Sequence, residues 1–285
     1  TNNAVNSGGG AFVSLDYSSA LLDNETHVNN NANKGGGLIV QNGNSSQITL
    51  TQSNFTSNTA HDTSGGGFYL IDLNGQVTLA NNILVSNAAN GTGGGYRLET
   101  TGGTVDVTGD VFVNNNARDR GGGALLFMQT AGVMNVRDTV ATHNIATTGG
   151  GHYIQLVSSN ITLENLTYVD NIALDMGGGL FVDEREESQL NFTVANFTLN
   201  QAAFGGGIFS QVMNGSIGLF RLFVLESNEA DNTGAGIYCN THNLSTTHIS
   251  DSIFRNNSGH DGGGLGVWTF QGGTTRAWNN TFENN

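Results

Sequence analysis

Ten evenly spaced glycine triplets constrain this chain more than anything else in it. They begin at Gly8, Gly35, Gly65, Gly93, Gly121, Gly149, Gly177, Gly205, Gly234 (here Gly-Ala-Gly) and Gly262, at steps of 27, 30, 28, 28, 28, 28, 28, 29 and 28 residues. A fixed period of this size marks units that bury their apolar faces only by stacking on copies of themselves. The repeat runs without a break in composition, so residues 1–285 read as one domain.

Each repeat has the same internal order. After the triplet come four to six apolar residues, such as Phe68-Tyr69-Leu70-Ile71, and then a polar turn such as Asn42-Gly43-Asn44. Next comes strict alternation, as in Gln76-Val77-Thr78-Leu79 and Asn160-Ile161-Thr162-Leu163, the period of two of a strand with one buried face. A third short strand ends in an apolar residue three before an Asn, as in Phe112/Asn115 and Phe197/Asn200, and a stretch of six to nine residues connects to the next triplet. No 3.6-residue period is present. Three strands and three turns per repeat predict an all-β fold, a single-stranded parallel β-helix of about ten coils, stacked at about 4.8 Å into a rod of about 48 Å.

Stacking explains the recurrent residues. Asparagines at one corner, Asn58, Asn87, Asn115, Asn144, Asn171, Asn200, Asn228 and Asn257, are placed to form an amide ladder. Glycine at the triplets permits a sharp corner and close approach of backbones. The absence of proline among 285 residues fits a chain whose N–H groups are nearly all in ladders.

Composition narrows the partners. Charged residues are 11% of the chain and the formal net charge is −14. Lys34 is the single lysine, so a nucleic-acid partner is not expected. The most apolar stretch, Leu219 to Leu225, is short and broken by Arg221, so no membrane insertion is expected. Cys239, alone of its kind, sits in an aliphatic slot and reads as a buried thiol.

The pairing of Phe197-Thr198-Leu199-Asn200 with Gly205-Gly206-Gly207-Ile208-Phe209-Ser210, and the similar Gly234-Ala235-Gly236-Ile237-Tyr238-Cys239, resembles the tandem repeats of the chlamydial polymorphic outer-membrane proteins. The resemblance covers essentially the whole chain. It implies a right-handed β-helix passenger displayed outside the cell for adhesion or surface structure, and a right hand also follows the general preference of parallel crossovers. The chain departs from that pattern in having Gly at the third triplet position, where the family often has Ala, and in lacking a membrane-barrel region.

Candidate sites are few. Twelve Asn-x-Ser/Thr sequons occur, at Asn24, Asn44, Asn54, Asn90, Asn160, Asn165, Asn191, Asn196, Asn214, Asn243, Asn256 and Asn279, and covalent N-glycans are the expected modification. The acidic run Asp183-Glu184-Arg185-Glu186-Glu187 reads as a solvated turn. Calcium repeats would need Asp at slots that hold Phe12 and Ile39. Asp106 and Asp138 fall near one slot of adjacent coils, whose neighbours are Thr78 and Thr162, and His27, His61, His143, His152, His242, His248 and His260 are scattered. No metal, cofactor or catalytic residue is therefore predicted. The second residue after each triplet includes Phe12, Tyr69, Tyr153, Phe181, Phe209 and Tyr238; alternation makes this either an exposed aromatic stripe or, with opposite parity, core.

Joined tail to head, the outer triplets would be 31 residues apart, close to the internal step. Neither end shows a cap. The expectation is therefore a subunit or segment of an extracellular or cell-surface filament, self-associating end to end and laterally. An adhesin passenger binding host or glycan is the second reading, and a carbohydrate-active enzyme a distant third.

Overall fold

A computed structural model describes residues 2–285. Among the described residues it is all-β with no helix, so no helix is long and apolar enough to cross a membrane. Parallel strands stack as a β-solenoid of about ten coils of about 28 residues. One sheet has ten strands, each directly following a triplet, from Ala11–Leu15 to Leu265–Phe270. A second, of 17 strands, holds the alternating segment and the strand before the ladder Asn. The register brings like residues together: Leu70, Leu98, Leu126, Ile154 and Val182 are consecutive partners.

The connection expected before each triplet is itself a strand. Nine such segments, from Asn31–Lys34 to Ser258–Asp261, form a third parallel sheet. It buries little more than a column of alanines, including Ala60, Ala117, Ala146, Ala173 and Ala230.

The three glycines of a triplet answer three different demands. The first, Gly121 for example, has φ +66°, a conformation costly for other residues. A Cβ on the second, Gly122, would lie 2.2 Å from the Gly150 carbonyl oxygen of the next coil. The third makes room for an aromatic ring, since a Cβ on Gly151 would lie 2.8 Å from the Tyr168 ring and one on Gly179 2.8 Å from Phe197. That ring explains why Gly stands here rather than Ala. The one substituted middle position, Ala235, faces Gly259, the single glycine of the alanine column, where an added Cβ would lie 3.6 Å from that of Ala235.

Left-handed residues punctuate every other corner. One immediately precedes each ladder Asn, as at Ser57, Asn114 and His143, and another divides the second sheet at Asn24, Asn81, Asp138, Asn165 and Asn279, where Val194 and Leu222 also occur. The interior is apolar, and through it runs a spine of rings: His27, Phe55, Phe68, Tyr96, Phe112, His152, Tyr168 and Phe197, with successive centroids 4.5 to 5.2 Å apart. Where the spine slot shrinks to Ala141, the His152 ring from the neighbouring sheet fills it.

Candidate functional site

Asparagine side chains form one unbroken ladder from Asn2 through Asn30, Asn58, Asn87, Asn115, Asn144, Asn171, Asn200, Asn228 and Asn257 to Asn285. At each step the backbone N–H and Nδ2 of one Asn both donate to Oδ1 of the next, at 2.8 to 3.3 Å. Nδ2 also donates to a backbone carbonyl, as from Asn144 to Phe112 at 3.1 Å. The buried amides of the ladder are thus satisfied, which removes the desolvation cost that an unpaired amide would carry. Three members, Asn2, Asn30 and Asn285, extend the predicted set.

Neither expectation for the aromatic column holds as stated. The column lies outside the main core, as alternation from inward Leu180 and Val182 requires, yet it is not exposed: Tyr69, Tyr153, Phe181, Phe209 and Tyr238 are at most 9% accessible, and only Phe12 is open, at 54%. Tyr153 and Phe181 stack at 4.8 Å and Phe181 and Phe209 at 5.2 Å. The cover comes from the residue before each triplet, which the glycine corner turns back over the outer face. Met176 and Phe204 pack on the rings, and the Arg120 guanidinium lies over Tyr153, 5.2 Å from its centroid.

Beside this column, four coils build a groove of about 360 Å³, lined by Thr92, Arg97, Glu99, Asp119, Arg120, Leu125, Phe127 and Gln155 with Gly91. Glu99, Phe127 and Gln155 are partners in successive strands of the first sheet. Arg97 is clamped: its Nη1 donates to Ser64 Oγ and Thr92 Oγ1, both at 2.8 Å, its Nη2 pairs with Glu99, and its plane lies over Tyr69. Burial lowers its pKa, opposed by Tyr69. Tyr69 OH donates to Glu99 Oε2 at 2.7 Å, and Gln155 Nε2 to Asp183 Oδ2 at 3.2 Å. Arg120 remains on the rim with Asp119 at 3.7 Å. Arg97 was legible as a break in the aromatic column; Glu99 and Gln155 were not, because that slot has no fixed residue type, holding Ile71, Glu99, Phe127, Gln155 and Asp183 in successive coils.

The remaining candidates do not converge. Among the sequon asparagines, Asn24, Asn44, Asn90, Asn160, Asn165, Asn196, Asn214, Asn256 and Asn279 are exposed, Asn54, Asn191 and Asn243 are half-buried, and none is fully buried. The acidic run is not a turn at its start: Leu180–Arg185 is a strand, with Asp183 and Glu184 buried, and only Glu186 and Glu187 turn. Glu184 points inward into space left by Gly218, and burial raises its pKa well above the ordinary value. Asp106 pairs with Asn135 rather than with Asp138, which instead accepts from Asn165 at 2.6 Å. His152 and His27 belong to the ring spine, and Cys239 is buried and free. Among the described residues, no three His, Cys, Asp or Glu side chains gather as metal ligands do.

Fold and site together define a parallel β-solenoid with an irregular groove on its side. Set against known families, curated proteins and solved structures, the chain matches none.

Proposed function

We propose that this chain is a structural element of an extracellular or cell-surface appendage, a rod of the type built by the repeats of the chlamydial polymorphic outer-membrane proteins. The observation that carries this reading is the unbroken asparagine ladder, which repeats one set of bonds in every coil from Asn2 to Asn285. Such a column adds length at constant cross-section and constant register, which is what a spacer or fibre requires. The shared Phe-x-x-Asn and glycine-triplet pattern supports the family type. Because every coil pairs with its neighbour in the same way, a coil of one copy can pair with a coil of another. Electron microscopy and light scattering of the purified chain across a concentration series test this. Fibres of uniform width, growing in steps of about 48 Å per copy at about 4.8 Å per coil, are the expected result. Single rods at every concentration would overturn it.

A further inference from the structure

We propose that the groove between Arg97 and Arg120 binds one or two rings of a neutral oligosaccharide. It forms where the solenoid departs from its own repeat. In two adjacent coils the third-sheet strand is cut to two residues, Ala88–Ala89 and Asn116–Ala117, whereas every other coil gives it four to six. The released segments are ordered by backbone bonds, Asp119 N to Gly91 O and Thr148 N to Asp119 O, both 2.9 Å, and their side chains form one wall.

The chemistry of the lining matches a sugar. Phe127, half-buried, offers a flat apolar surface, with Glu99 on one neighbouring strand and Gln155 on the other, each about 4.8 Å away. A pyranose presents an apolar C–H face bounded by hydroxyls that donate and accept. Glu99 and Asp119 accept, Arg120 donates, and Gln155 does both. Glu99 is held by Tyr69 and Arg97, and Gln155 by Asp183, so little ordering remains to oppose binding. The volume of about 360 Å³ lies at the low end of the ~300–1,000 Å³ of small-molecule sites.

Charge selects neutral sugars over acidic ones. Two arginines face two carboxylates, so the groove is formally neutral, and the −14 of the whole chain repels a polyanion. Sugar binding here is independent of whether copies assemble into fibres.

Saturation-transfer NMR followed by calorimetry on the full chain provides the test, with maltotriose, cellotriose, mannotriose and tri-N-acetylchitotriose as neutral probes and trigalacturonate as the acidic one. At least one neutral trisaccharide binds, and Phe127→Ala and Gln155→Leu each weaken it by about tenfold or more. Gln41→Leu, at the same slot far along the rod, leaves it unchanged. Circular dichroism verifies folding; should Phe127→Ala misfold, Gln155→Leu carries the comparison. No transfer to any neutral probe, binding of trigalacturonate alone, or affinity indifferent to both groove substitutions would overturn the assignment.

Discussion

At the scale of single residues, conformation and burial decide. Val194 is β-branched yet has φ +55°, at a corner where other coils place Asn24, Asn81, Asn165 and Asn279. Left-handed backbone costs an ordinary L-residue about 1–2 kcal/mol, and Asn bears it best. Val194→Asn should therefore raise the urea midpoint by about 1 kcal/mol of stability; no rise, or a fall, would mean the strain is relieved elsewhere. Gly122→Val is the opposite case, since its Cβ would overlap the Gly150 carbonyl. We expect loss of at least ~3 kcal/mol, seen as loss of the cooperative transition or of soluble protein. Titration offers a third residue-level test. Burial raises Asp110 from 3.8 to about 7, opposed by hydrogen bonds from Asn82, while Asp110 Oδ2 has no partner. The folded chain keeps this proton to higher pH than the unfolded chain, so raising pH from about 4 to about 7 favours unfolding. His152, held down to about 3 by burial, acts in the reverse sense, favouring unfolding as pH falls below 6.5. Asp110→Asn should gain over wild type by roughly 2 kcal/mol between pH 5 and 8, at about 1.4 kcal/mol per unit. A difference independent of pH would show that Asp110 is ionised throughout.

At the scale of elements, columns rather than strands are the units that hold. Asn144→Ala would leave Asn115 N–H and Nδ2, the Phe112 carbonyl and Asn171 Oδ1 short of partners, all buried. Several unmet groups at ~1–3 kcal/mol each give an expected loss of about 3 kcal/mol or more in urea unfolding; a loss under about 0.5 kcal/mol would show that water replaces the amide. The ladder was legible in the sequence because identical residues recur at one slot, and so were the first two sheets, whose Val, Leu and Ile alternate. The third sheet was not, because its strands bury a lone alanine between polar residues, as in Thr59–Ser64, and carry no alternation to read. Burial of Tyr153 and Phe181 was equally hidden, since it depends on Arg120, Met176 and Phe204 folding back across a corner. The groove was hidden in the sequence because its residues come from separate coils and from the segments that follow two shortened strands.

At the scale of the whole molecule, the stack is one-dimensional: each coil contacts its neighbours, and stability grows as a sum of coils and interfaces. With only 11% of residues charged, its surface depends on Asn, Ser and Thr for hydration, and nine of its twelve sequon asparagines are exposed. Expressed through a eukaryotic secretory route, the chain should carry several glycans, including at Asn44, Asn90 and Asn214, and lose mass on glycosidase treatment. An unchanged mass would remove glycans from the account. The asparagine ladder also has a direction. Toward lower-numbered coils each Asn offers Oδ1, and toward higher-numbered coils it offers the N–H and Nδ2 that bond the next Oδ1. Joined through this column, two rods meet donor to acceptor in one orientation only, and the reverse arrangement sets N–H against N–H. Any fibre made this way is therefore vectorial, with chemically unlike tips that elongate at unequal rates.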